Sequence, residues 1–377
     1  MGDRLMRIVY ITRVNFSNNQ SSGGKKCSFR NFEILKAIAG PENVYVCILT
    51  PEDLPVTVQG NLKIFQTKEN SWLTLKNYIA LRDCYSKANE RELVAYVEEL
   101  QPDLIFFDGS QLGALGRRFD ASVPIVCFLH NIERKYTWNR VTQESPKFII
   151  QYYNHSRNEK YIVKHAKRII CLNERDGLLL RQIYRRNCDL TIPITFEDQF
   201  DPERAKAELI GQDGFLLFVG SYFRPNYVGI RWFVENVMPS VQKKLLIVGN
   251  GMEKVAAELT RENVEVLGAV DDLAPYYYEA DAMVMPIPYG DGMKVKTAEA
   301  MMYGKAILGS EEAFEGYKYK GISGLMLCIS AMEYIAAIQS LEQKFCKYNE
   351  SVRNLFLEKY ETNHYIAQVK NMLEELV

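Results

Sequence analysis

Short apolar runs recur along the chain in two series, and no other feature limits its folds so much. The first series occupies 7–12, 44–49, 62–65, 104–107, 125–129 and 168–172. Runs of this length suit buried strands, and longer polar–apolar segments separate most of them. Such alternation of strand and helix builds a parallel sheet covered on both faces. The pattern restarts at 215–220 and continues at 245–249, 264–268, 282–286, 306–309 and 325–328. Between the first two of these, Ile230, Phe233, Val234, Val237 and Val241 recur at helical spacing and mark one buried face.

A turn-prone, acidic stretch around 193–213 separates the series, and beyond 330 the chain reads as helical to its end. The expected architecture is α/β: two Rossmann-like doubly wound domains facing a central cleft, with C-terminal helices. The boundaries read from the sequence are 1–193, 194–361 and a last helix, 362–377, able to pack back on the first domain. Ligands of such sheets bind beyond the carboxyl ends of the strands.

The chain has 377 residues, 47% of them hydrophobic, enough for two cores. A formal net charge of −1 gives no global field towards nucleic acid, so none is expected as a partner. The N-terminus lacks the apolar core of a signal peptide. No segment approaches the roughly 18 apolar residues that span a bilayer. Eight scattered cysteines form no Cys-x-x-Cys pair. They read as buried thiols in a reducing compartment rather than as disulfides or zinc ligands. A cytoplasmic protein is expected.

Gly290-Asp-Gly-Met-Lys-Val-Lys-Thr-Ala-Glu-Ala-Met-Met-Tyr-Gly304 follows an apolar run directly. A helix starting near Lys294 would present free N–H groups and the positive end of its dipole beyond the strand. Lys294 and Lys296 add full charges where cations are disfavoured, a cost that a bound diphosphate would offset. Glu299, one turn inside, is placed to accept hydrogen bonds from a ribose diol, and Asp291 precedes the helix. The same residues also fit a solvated, glycine-rich turn. Gly220-Ser-Tyr-Phe-Arg-Pro225 is the corresponding turn after the first strand of the second series. Arg224, before a stiffening proline, can grip phosphate bidentately or cap a helix start.

Val219-Gly-Ser-Tyr-Phe-Arg-Pro-Asn-Tyr227, continued by Trp232-Phe-Val-Glu-Asn-Val-Met-Pro239, resembles the second-domain opening of retaining family-four glycosyltransferases. The likeness is to the subgroup found in bacterial exopolysaccharide and capsule gene clusters. Ile247-Val-Gly-Asn-Gly251, Val266-Leu-Gly-Ala-Val-Asp-Asp-Leu273, the 290–304 stretch and Phe314-Glu-Gly316 follow in that family's order. The family's two acids, separated by seven residues, fall on Asp291, where glutamate is usual, and on Glu299. Gly23-Gly-Lys-Lys-Cys-Ser-Phe-Arg30 resembles the family's glycine pair and basic helix start near the donor phosphates, and equally fits a flexible loop. His130-Asn-Ile-Glu133 resembles its strand-end histidine beside the reacting sugar, although a lone histidine also serves as a local hydrogen-bonding group. Asn173-Glu-Arg-Asp176 fits too, while Ile192-Pro-Ile-Thr195 replaces the usual Pro-Asn-Gly linker.

The resemblance implies a GT-B fold and sugar transfer, with retention, from a nucleotide-diphosphate-sugar to a hydroxyl of a glycan or lipid-linked glycan. Neither a metal nor another cofactor is implied, because the nucleotide sugar is the substrate. Arg224, Lys294 and Lys296 would stabilise the leaving diphosphate. His130 and Asp291 would orient the donor sugar. Gly23, Gly24, Gly220, Asn250, Met293 and Val295 would border the donor, Val270 would lie near its base, and Glu299 would hold its ribose. A nucleotide-sugar epimerase of the same architecture and a non-catalytic nucleotide-sugar sensor stay open. So does peripheral contact with the inner face of the membrane through 147–168. That stretch mixes Phe148, Tyr152, Tyr153 and Tyr161 with Lys147, Arg157, Lys160, Lys164, Lys167 and Arg168, and fits ordinary packing as well.

Overall fold

The computed structural model describes residues 6–15, 23–51, 61–67, 71–208, 214–290, 292–342 and 347–377. Two units emerge, Met1–Pro193 with Thr362–Val377, and Ile194–Glu361. The first opens with β1 (Ile8–Thr12), α1 (Gly23–Ala39), β2 (Val44–Thr50), β3 (Leu62–Gln66), α2 (Ser71–Ile79) and α3 (Lys87–Leu100). It continues with β4 (Leu104–Asp108), β5 (Ile125–Leu129), α4 (Glu133–Gln143), α5 (Ile149–His165), β6 (Arg168–Cys171), α6 (Glu174–Tyr184) and β7 (Leu190–Thr191). The second unit runs α7 (Pro202–Glu208), β8 (Leu216–Val219), α8 (Arg224–Asn236), β9 (Leu245–Val248), α9 (Ala256–Leu259), β10 (Val264–Gly268) and α10 (Ala274–Glu279). Then come β11 (Ala282–Met285), α11 (Val295–Met302), β12 (Ala306–Gly309), β13 (Leu325–Leu327), α12 (Ala331–Glu342) and α13 (Glu350–Lys359). The last helix, α14 (Asn363–Glu374), belongs to the first unit and packs against α1.

Each apolar run of the two series forms a strand. The sheets are parallel, in the orders β3-β2-β1-β4-β5-β6-β7 and β10-β9-β8-β11-β12-β13. Every residue of β1, β4, β5, β8, β9, β11 and β12 is buried, as strands covered by helices on both faces require. Side-chain caps start several helices. Ser86 and Asn89 form a capping box at α3, and Asn173 Oδ1 accepts from the Asp176 amide at 2.9 Å to open α6. Ile230, Phe233 and Val234 form the buried face of α8, whereas Val237 and Val241 are buried beyond its end. Pro239 follows there, and a 3-10 turn over Met238–Ser240 replaces another helical turn.

The strand orders place the ligand end of each unit. In the first, the chain leaves β1 on one side and returns to it through β4 on the other; in the second, β8 and β11 hold the same relation. Between such strands the loops diverge at their carboxyl ends and leave a crevice. Among the described residues, no helix is long and apolar enough to cross a membrane.

Candidate functional site

In the second unit the switch point lies between Gly220, after β8, and the segment leading into α11. Gly220 lies close to both side chains of this turn: a Cβ would stand 3.0 Å from Asn226 Nδ2 and from Lys296 Nζ, and either would have to shift slightly. Gly249, after β9, approaches more closely still. At its φ of +155° a Cβ would lie 2.0 Å from the Gly220 carbonyl oxygen, so the two strand-end loops touch backbone to backbone. Asn250 is exposed, and its carbonyl accepts from the Tyr222 amide at 2.8 Å. Val270, just beyond β10, is half-buried. Met293 is buried and Val295 half-buried.

Helix α11 starts at Val295, with Lys294 as its N-cap residue and no side-chain cap. Its first-turn amides therefore keep the partial positive charge of an open helix end. Lys296 Nζ donates to Asn226 Oδ1 at 2.8 Å and lies 4.6 Å from the centre of the Phe218 ring. Burial, reinforced by Lys294, pulls the Lys296 ammonium down to about 7 against the opposing pull of Glu299. Lys294 is held differently. Its Nζ donates to Gly292 O at 2.8 Å and pairs with Glu312 Oε1 at 2.5 Å. Tyr317 Oη donates to the Lys294 carbonyl at 2.7 Å and fixes the turn from behind. Arg224 is the first residue of α8 and is exposed, with Pro225 behind it. Glu299 is half-buried on α11 and acts on the Tyr277 hydroxyl, which burial and this carboxylate together hold well above its ordinary pKa. Tyr277 stacks on Tyr303 with ring centres 4.8 Å apart. Asp291 lies outside the described residues.

In the first unit, β4 ends on Asp108 and β5 leads directly into His130. His130 Nε2 stands 2.9 Å from Asp108 Oδ1, with the imidazole 15% exposed and the carboxylate fully covered. Asn31 Nδ2 and Thr12 Oγ1 also donate to Asp108, at 2.8 and 3.1 Å. Burial alone would lower the His130 pKa, but Asp108 outweighs it, with the ionised form of Cys27 acting in the same direction, and the pKa is raised well above the ordinary value. Burial would raise Asp108, and His130 with the hydrogen bonds brings it to about 2. The pair is thus an imidazolium on a carboxylate, and the imidazole edge is what a ligand can reach. Gly23 and Gly24 open α1 and are exposed. A Cβ on Gly24 would meet nothing within 4 Å, so packing does not demand glycine there.

Sequence reasoning missed the groups that hold these residues. Glu312 is one. Another is a buried network built on Glu133, three residues beyond His130, in which His155 bridges Glu133 Oε2 at 3.0 Å and Asp83 Oδ1 at 3.1 Å. Arg13 Nη1 pairs with the other Asp83 oxygen at 2.7 Å, and Gln111 Nε2 donates to Glu133 Oε1 at 2.7 Å. One signal was legible: Asn154, His155, Asn158 and Glu159 share a helical stripe with Ile162 and Val163, all buried on α5.

Residues 214–344, within the second unit, match the family model described as "Glycosyl transferases group 1". Compared with curated proteins, the sequence finds no match. Among solved structures it is similar to sucrose-phosphate synthase from Thermosynechococcus elongatus, at 17% identity and a TM-score of 0.75 over 98% of this chain and 99% of that one. Anabaena HepE in complex with UDP and glucose gives 15% identity and a TM-score of 0.68, covering 98% and 99%. The pneumococcal O-GlcNAc transferase GtfA in complex with UDP and GlcNAc gives 10% and 0.66, again over 98% and 99%. The fold is the two-domain α/β architecture of the GT-B glycosyltransferases.

Proposed function

We propose that the protein is a retaining, metal-independent glycosyltransferase that moves a sugar from a nucleoside-diphosphate-sugar to a hydroxyl of a glycan or lipid-linked glycan in surface-polysaccharide synthesis. The observation that carries this reading is Lys296, a cation half-buried at the open end of α11 where the strand order leaves its crevice. Keeping a lysine there is costly unless an anion completes the site. The group 1 match over this unit, and neighbours solved with UDP and sugars, support the choice of a nucleoside diphosphate.

In this reading Lys296, Lys294, Arg224 and the first amides of α11 stabilise the departing diphosphate. Glu299 holds the ribose, Val270 borders the base, and the backbone at Gly220, Asn250, Met293 and Val295 approaches the donor. Gly23 and Gly24 leave room beside the phosphates. His130 and Asp291 orient the sugar. In this reading the cations take the role that a metal ion fills at other diphosphate-leaving sites.

A thermal-shift screen against nucleoside-diphosphate-sugars, followed by product analysis with excess chelator, tests this. At a hundredfold excess over Kd the matching donor raises Tm by about 5–10 °C. Transfer with retention then persists in chelator. Donor epimerised without acceptor would replace this reading by an epimerase, and binding without turnover by a sensor. Activity lost in chelator and restored by magnesium or manganese would remove the role given to the cations.

Contact with an anionic membrane, where a lipid-linked acceptor resides, belongs to the same proposal. Trp138 on α4 and Ile149, Ile150 and Tyr153 on α5 are exposed beside the outward Arg157, Lys160 and Lys164. Flotation with vesicles containing phosphatidylglycerol should recover the protein, and Lys160→Glu with Lys164→Glu should leave it at the bottom of the gradient. Equal recovery of both proteins would count against the contact.

A further inference from the structure

Helix α4 begins without a cap of its own, because Ile132 stands at the N-cap position and offers no side-chain acceptor. The acceptor comes from another helix. Glu159, fully buried on α5, takes the Glu133 amide on Oε2 at 2.5 Å and the Arg134 amide on Oε1 at 3.2 Å. A carboxylate is the preferred partner for such an open helix end. Ser110 Oγ donates to Oε2 at 3.2 Å and Tyr184 Oη to Oε1 at 2.6 Å. Ser110 lies two residues beyond Asp108, and Glu133 three beyond His130, so one carboxylate ties together the two strand-end turns that present the Asp108–His130 pair.

We propose that Glu159 is a positioning residue for His130, holding the turn at 130–132 through the first two amides of α4. This rests on the role given to His130 above. The titratable and charged groups around Glu159 are Glu133 and Arg134 on α4, with His155 on α5 and Asp83 and Arg13 behind Glu133, Tyr184 on α6 and the Cys127 thiol on β5. His155 meets a carboxylate at each ring nitrogen, so it serves as a doubly donating imidazolium. Burial would lower it, yet Asp83 and Glu133 bring it to about 9. Burial raises Glu159 to about 7, with Glu133 adding to it and the Tyr184 hydrogen bond resisting. At lower pH the carboxyl gains a proton, becomes a poorer acceptor for the two amides, and loosens the turn.

The experiment follows the ring-proton resonance of His130, one of four histidines, assigned by its disappearance in His130→Gln. Donor turnover is measured across pH alongside it. In Glu159→Gln the resonance and its titration shift, kcat falls about ten- to a hundredfold as a displaced group would dictate, and nucleotide affinity holds. Wild-type kcat rises with pH through about 7, and the variant loses that step. Tyr184→Phe leaves α4 untouched but removes a hydrogen bond that favours the ionised carboxylate, so it moves the step to higher pH. A His130 resonance and a pH profile unchanged in both variants would overturn the proposal. Normal turnover in His130→Gln would instead remove the role of His130, while the resonance still reports whether Glu159 positions it.

Discussion

Replacing His130 by glutamine lowers donor turnover by two to three orders of magnitude and leaves nucleoside-diphosphate affinity within about twofold. The magnitude is that of losing one preorganised charged donor from a reacting centre. Glutamine is the informative substitution because Asp108, fully covered, stands directly behind the imidazole. His130→Ala would leave that carboxylate with neutral donors such as Asn31, Thr12 and Ser28, and a buried charge that loses its ionic partner costs about 3–5 kcal/mol. The alanine variant therefore melts earlier for reasons unrelated to the sugar. Glutamine keeps an amide donor for Asp108 and removes the positive charge. Steady-state kinetics, with calorimetry of nucleoside diphosphate binding, decides the matter. Normal turnover with a normal melting curve would return His130 to local hydrogen bonding.

Nucleoside diphosphate binding weakens as pH rises above 7, by up to about tenfold for each pH unit. The sign follows from Lys296, whose ammonium is pulled down to about 7 in the free protein by burial and the neighbouring Lys294. Below that pH the cation is already present when the diphosphate arrives. Above it the lysine must first take up a proton, and the diphosphate raises its pKa on binding. Protonation of the terminal phosphate, with a pKa of about 6, acts in the opposite direction and at lower pH. The two effects separate in Lys296→Arg, whose guanidinium stays charged throughout, so the slope above pH 7 disappears. Lys296→Met loses affinity at pH 6.5 but approaches the wild type at pH 8.5. Calorimetry in buffers of different ionisation enthalpy also registers the proton taken up. A flat wild-type profile, or a slope that survives in Lys296→Arg, would show that Lys296 does not meet the phosphates.

The strands were legible because burial on both faces leaves an uninterrupted apolar run, which sequence displays directly. β7 was not, since two residues, one half-buried and one exposed, make no run. The open end of α11 could be read from neighbouring residues, because a strand end, glycines, cations and an acid follow one another between Met285 and Glu299. What those cations touch could not. Glu312 reaches Lys294 across eighteen residues, and Asp108 reaches His130 across twenty-two. Periodicity sees which face of a helix is buried and is blind to polar partners assembled from different strand ends. On α5 the structure shows a stripe in which four polar residues take positions usually apolar. Such a stripe is the trace that a buried ion network leaves in a sequence.

Helix α14 gives the chain an awkward order of manufacture. It completes the first unit, burying Val369, Met372 and Leu373, yet it is synthesised after the whole of the second. At ribosomal speeds the residues between Pro193 and the end of α14 take on the order of ten to forty seconds to appear. During that interval the face of α1 that receives the helix is without its cover, while the second unit can fold and close. The first unit to be translated is thus the last to be finished. Its early half must stay soluble on the ribosome without its final helix, and a chaperone that shields α1 would act in that window.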